Sequence, residues 1–165
     1  MKRTKLRGLL KIGLAGAAAL LLIIQLLPVD RVNPPVVSEL VAPPEVISVL
    51  RQSCYDCHSN ETTWPWYSRI APASWLVAKD VREGREAVNY STWGRYDAEE
   101  RAEKQWETWE DVEEGEMPMR IYTLMHPGAR LTAQDRDILR DWAAQSGHAA
   151  DGETDHERAE ESSRH

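Results

Sequence analysis

The chain has 165 residues with seven tryptophans, five tyrosines and no phenylalanine, a length that fits one domain with appendages. Its formal net charge is −7, yet the first eleven residues carry five basic side chains and no acid, which leaves −12 on the rest. That balance argues against nucleic-acid or anionic-headgroup binding by the part beyond the leader.

The basic leader is Lys2, Arg3, Lys5, Arg7 and Lys11, and an apolar stretch runs from Leu9 to Leu27, broken by Lys11, glycines and Gln25. As a helix this stretch rises roughly 28 Å, close to the thickness of a bilayer core. A signal peptide needs a shorter apolar core followed by small residues at a cleavage site. Here the small residues, Ala15 to Ala19, lie inside the stretch, and Leu26-Leu27-Pro28-Val29-Asp30 follows it. The pattern predicts an uncleaved anchor over 9–27, with residues 1–8 cytoplasmic. The chain would then cross the inner membrane once and carry its C-terminal domain in the periplasm. Residues 28–44 contain Pro34-Pro35 and Pro43-Pro44, which favour extended chain and predict a stalk.

Residues 45–147 should form the domain. Pro44 suits a first helical turn, Glu45 lies near the positive helix end, and Val46, Val49 and Leu50 recur at helical spacing. The helix is expected to run into Cys54, with Cys57 and His58 near its end.

Cys54-Tyr55-Asp56-Cys57-His58 is C-x-x-C-H, the attachment sequence for a c-type haem. Each thiol adds across one vinyl group, and the two-residue spacer lets both sulfurs reach one porphyrin edge. The histidine after the second cysteine is then held beneath the iron. A thioredoxin-like dithiol would want a βαβ context, and no strand pattern supplies one. A zinc site needs four N/S ligands, and only Cys54, Cys57 and His58 are here. A structural disulfide would explain the cysteines but not His58. Haem c, attached through Cys54 and Cys57, is the cofactor expected, with His58 on the iron.

Trp64, Trp66 and Trp75 follow within a short span, and such large rings suit a core built against a porphyrin or plain core packing. Pro72 can open a helix carrying Trp75, Leu76, Lys79 and Arg82, which Gly84 weakens or ends. Arg82 and Arg85 could pair with haem propionates, or lie on a solvated face or in an internal ion pair. Asp97 can cap a second helix with Glu99 and Glu100 in its first turn, and Trp106 and Trp109 share a face. The acidic run from Glu110 to Glu116 is a solvated surface or part of a docking face for a basic partner.

Gly115-Glu116-Met117-Pro118-Met119 has the form of a methionine loop. A thioether is a soft, neutral sixth ligand for haem iron, and Met117 is the residue expected to supply it. Met119 could substitute, and His126 would give bis-histidine ligation; Met125 is read as core. Thr132 can cap a last helix, with Asp135 at the capping-box offset and Ile138, Leu139 and Trp142 as its apolar stripe. Gly147 is a plausible stop, and this helix should pack across the attachment helix. Residues 148–165, with His148, His156 and His165, are polar and expected to be disordered.

The run C-x-x-C-H-S-N-x-T-x-W-P-W-Y-S-x-I-A-P-x-S-W, from Cys54 to Trp75, resembles the haem-binding domain family of small bacterial membrane-anchored c-type cytochromes. The resemblance continues through Asp80-Val81-Arg82-Glu83-Gly84-Arg85, Asn89-Tyr90-Ser91-Thr92-Trp93, Glu116-Met117-Pro118, Tyr122 and His126-Pro127, to Leu131 and the helix of Trp142. It implies covalent haem and an all-α fold, and it also points to Met117. The expectation is therefore a small all-α cytochrome c-like domain around one haem, behind a single transmembrane helix. Its expected work is one-electron transfer with a redox partner protein, without enzymatic turnover. A haem-based redox or gas sensor is one alternative. A peroxidase-like enzyme, with His126 as distal base, is another.

Overall fold

The structure is a computed structural model that describes residues 2–147, with side chains from Arg7 onward; the polar tail at 148–165 lies outside the described residues. Seven α-helices occur among the described residues: α1 (Lys2–Ile24), α2 (Pro44–Ser53), α3 (Tyr55–His58), α4 (Ala73–Ala87), α5 (Ala98–Glu114), α6 (Arg120–Met125) and α7 (Ala133–Ala144). Short 3₁₀ turns fall at Trp66–Arg69, Trp93–Arg95 and Pro127–Ala129. Among the described residues there is no strand, only one isolated bridge between Ser38 and Thr92. The all-α expectation holds.

α1 is apolar and long enough to cross a membrane over Arg7–Ile24, and none of that window is buried against the rest of the chain. The other helices start where the sequence provides for it. Pro44 occupies the first turn of α2. Asp97 and Glu100 form a reciprocal capping box at α5, and Thr132 and Asp135 form another at α7. Each box satisfies two backbone N–H groups that the helix leaves unpaired.

The core joins α2, α5 and α7. Val46, Val49 and Leu50 of α2 meet Trp109 and Val112 of α5 and Leu139, Trp142 and Ala143 of α7. Each large apolar side chain fully buried here contributes about 1.5–3 kcal/mol. The last helix does pack against the attachment helix, as expected.

Residues 88–93 form an irregular, wholly buried segment between α4 and α5 that turns at Tyr90 and Ser91. It serves as a spine. Tyr90 stacks on Tyr55 with ring centroids 5.4 Å apart, and its hydroxyl lies 3.1 Å from Thr108 Oγ1. The amides of Val37 and Ser38 donate to the Ser91 carbonyl, and the Leu40 amide donates to that of Tyr90.

The proline-rich segment is therefore no free stalk. It is extended, as its prolines require, but it runs along the domain. Asn33 Nδ2 donates to the Thr62 carbonyl and Asn60 Nδ2 to that of Pro35. Arg85 explains much of this: it donates to the carbonyls of Val32 and Ser59 and to Asn33 Oδ1 and Thr62 Oγ1.

Candidate haem site

The attachment segment is not the end of one helix. α2 stops at Ser53; Cys54 takes φ −123° and ψ −35°, and the single turn α3 begins after it. The ladder survives the break, since the Cys54 amide still donates to Leu50 and the His58 amide to Cys54. The break lets Leu50 stay in the core while His58 reaches the spine.

α4 determines how α3 sits. Gly84 does not end α4, which continues to Ala87. It is buried where α4 presses on the attachment turn: a Cβ built there would lie 2.8 Å from the Cys57 carbonyl oxygen. A glycine inside a helix costs about 1 kcal/mol relative to alanine, and here it permits that approach.

His58 is buried at 8 % exposure, and its Nδ1 lies 3.3 Å from the Val88 carbonyl oxygen. With Nδ1–H donating there, Nε2 is left as the unprotonated nitrogen. Burial lowers the imidazole pKa, against smaller opposing effects from the Val88 and Gly84 backbone. The His58 carbonyl also accepts from the Tyr90 amide at 2.9 Å. Ring and backbone are thus both held by the spine.

A cleft of about 230 Å³ opens beside this histidine. Cys54, Cys57, His58, Met117 and Met119 all line it, although Met117 is some sixty residues from the attachment sequence. The amides of Glu116 and Met117 both donate to the Asp111 carbonyl at 2.9 Å, which folds the methionine loop back over the end of α5. A larger cavity of about 580 Å³, lined by Tyr67, Leu76, Val77, Ile121, Leu124 and Met125 among others, shares Asp56, Cys57, Asp80, Met119 and Tyr122 with the cleft. Together the two fall within the range of about 300–1,000 Å³ usual for cofactor sites.

Burial pushes the Cys54 thiol up to about 12 and the Cys57 thiol up to about 11. A neutral pair is the opposite of what a thioredoxin-like nucleophile requires. The cysteines are not bonded to one another, and among the described residues no three His, Cys, Asp or Glu side chains converge as a metal site. Ser53 Oγ is buried without a hydrogen-bond partner, and Ser53 lines the cleft. A largely apolar space edged by two thiols, an imidazole, thioethers and a few carboxylates suits a ligand that is mostly hydrocarbon with a few polar groups. Haem has that character, so the residues present fit it.

His126 is set apart from the cleft. It lines neither cavity; its ring stacks on Tyr122 with centroids 4.4 Å apart, and its Nδ1 lies 3.2 Å from the Tyr122 carbonyl oxygen. Arg82 and Arg85 are also turned to other uses. Arg85 binds the N-terminal segment, and Arg82 lies 3.8 Å from Glu83 and Glu86 on the surface. The acidic run is mostly solvated, but Asp111 reaches the cleft wall, beside Asp56, Asp80 and Glu83. Asp56 had no assigned part in the sequence reading. Its carboxylate accepts from the Thr63 amide at 2.9 Å and from the Tyr122 hydroxyl at 2.8 Å, tying the attachment turn to α6.

A family model described as a haem-binding domain matches residues 19–145, most of the chain. The chain belongs to the haem-binding domain family. No curated protein and no solved structure matches it. The match takes in the cleft and every core helix, so the haem-binding domain and the packed unit described above are the same part of the molecule.

Proposed function

We propose that this haem-binding domain is a membrane-anchored c-type cytochrome that carries single electrons on the periplasmic side of the inner membrane. Cys54 and Cys57 would hold the haem through thioethers, and His58 Nε2 and the Met117 sulfur would bind its iron. The observation that carries this reading is convergence: two thiols, a buried neutral imidazole and a distant thioether line one cleft. Bound haem would supply a one-electron couple, which the residues on its iron and its surroundings would tune.

The residues have separable tasks. His58 is fixed in one tautomer by Val88, and the surrounding burial keeps water from it. Met117 is placed by the hydrogen bonds that its own amide and that of Glu116 donate to the Asp111 carbonyl, and its sulfur can favour the ferrous state. Among the described residues His58 is the only imidazole lining the cleft, which supports electron carriage over peroxide chemistry. Met119 lines the same cleft and is the natural replacement if Met117 is lost.

Among the described residues the cleft wall bears Asp56, Asp80, Glu83 and Asp111 and no lysine or arginine. A partner with a basic face fits such a rim, and its association rate should fall as salt rises. α1 supports the anchor, and the basic leader supports a cytoplasmic N-terminus.

The test is an optical and EPR titration of the intact protein made with haem maturation machinery. A low-spin ferric spectrum with a sulfur-to-iron charge-transfer band is expected, and Met117→Ala should abolish that band and lower the potential. High-spin ferric haem that turns over peroxide would overturn electron carriage in favour of the enzyme.

A further inference from the structure

We infer that the face around Trp66, Ile70 and Trp75 sits in the headgroup layer of the membrane, so that the domain lies against the bilayer instead of standing away from it. The inference rests on the reading of α1 as a membrane anchor.

The chain leaving α1 is fastened to the domain at once. Gln25 Nε2 donates to the Ala71 carbonyl at 3.2 Å, and the Ala71 amide donates back to Gln25 Oε1 at 2.9 Å. Arg31 then donates to the Ser68 carbonyl at 3.2 Å, and Trp64 Nε1 donates to Asn33 Oδ1 at 3.1 Å. No slack remains between the helix and the segment 64–75. The apolar window Arg7–Ile24 is long enough to cross a membrane, rising about 27 Å against a hydrocarbon core of about 30 Å. Gln25 follows it directly, so Gln25, and with it Ala71, lies at the edge of the hydrocarbon, where Leu26 and Leu27 are also exposed.

Large apolar side chains flank Ala71 and face outward. Trp66 is 70 % exposed, Ile70 48 % and Trp75 37 %. None of the three lines the haem cleft or the cavity adjoining it, so haem does not account for their exposure. Tryptophan, with an apolar ring and one N–H, is the residue suited to the membrane–water boundary. The domain is strongly acidic, so attachment to lipid is apolar and insensitive to salt. The occupant of this face is the boundary between headgroups and acyl chains, continuous with the bilayer that α1 already enters.

The experiment uses the full chain, haem-loaded, in phosphatidylcholine vesicles with and without bromine on the upper acyl chain. α1 contains no tryptophan, so any emission lost to bromine reports contact by the domain. The wild type should lose emission in brominated lipid, equally at low and high salt. The double variant Trp66→Phe with Trp75→Phe should lose far less. Absence of quenching, quenching that persists in the double variant, or quenching removed by salt each overturns the inference. So does a cross-linked dimer through this face. An alkaline carbonate wash separates the two readings. Protein that stays with the vesicles but is not quenched retains its anchor and refutes only this inference; protein that washes off refutes the anchor as well.

Discussion

The two walls of the cleft are built to different standards. On the His58 side, α3 and residues 88–93 are held in place by buried contacts. Ser59 and Ser91 are fully covered, the Asn60 amide donates to Ser91 Oγ, and Asn89 Nδ2 donates to Asn60 Oδ1. On the Met117 side, α6 has no buried residue, and Ile121, Leu124 and Met125 are exposed. That wall has fewer ties: Met117 packs half-buried against the core, the amides of Glu116 and Met117 donate to the Asp111 carbonyl, and the Tyr122 hydroxyl donates to Asp56. The difference teaches that, of the two ligands proposed, His58 belongs to the folding core, whereas Met117 lies at its margin beside the flap formed by α6. Local stability follows buried contacts, so the methionine side should open first.

The largest contrast is expected between the two proposed ligands themselves. His58→Ala should abolish the low-spin spectrum and leave a buried void that destabilises the domain. Met117→Ala should keep the fold and the haem and alter only the spectrum and potential. Thermal unfolding followed beside the optical spectrum checks this, and equal loss of stability in both variants would break the contrast.

Gly84→Ala sharpens it from the rigid side. The added methyl meets the Cys57 backbone, which can move only by displacing the attachment turn. Overpacking of this kind costs about 1–3 kcal/mol, and each kcal/mol lowers the Tm of a domain near this size by about 4–8 °C. An unchanged Tm would mean that the helices yield at no cost.

Tyr122→Phe tests the flap. It removes a hydrogen bond to a carboxylate at a half-exposed site and should cost about 1 kcal/mol. Global unfolding should barely register this, whereas exogenous imidazole should replace the sixth ligand faster. Unaltered imidazole kinetics would show that the bond to Asp56 does not hold the flap.

The smallest effect concerns pH. Burial, reinforced by Glu83 and opposed by Lys79, raises the Asp80 pKa above 3.8. The folded state therefore holds this proton more tightly than the unfolded one. The resulting stability is fully present below the ordinary aspartate value and is lost as pH rises through the folded value. Asp80→Asn should flatten that part of the stability curve, as urea unfolding across the acid range would record.

Much of the rigid wall was legible in the sequence because its signals are local. Cys54, Cys57 and His58 announce themselves by spacing, and the caps at Asp97 and Thr132 stand three residues from their partners. What could not be read depends on distant contacts. Nothing near Cys54 marks a helix break; its cause is the reach of His58 to Val88. Gly84 looked like a helix weakener because its reason, the Cys57 backbone, is on another element. Arg85 looked like a propionate partner because its four acceptors are scattered from Val32 to Thr62. α6 lacks a buried stripe, so no periodicity betrayed it. The prolines of 28–44 correctly signalled extended chain, but extension alone does not say whether a segment stands free or lies on a surface.

The most direct test of a haem welded to Cys54 and Cys57 is the mass of the denatured protein made with haem maturation machinery. The account predicts the polypeptide of 18.8 kDa plus one haem, with the added mass on the peptide that contains Cys54 to His58. An unmodified polypeptide, its haem lost on denaturation, would contradict it.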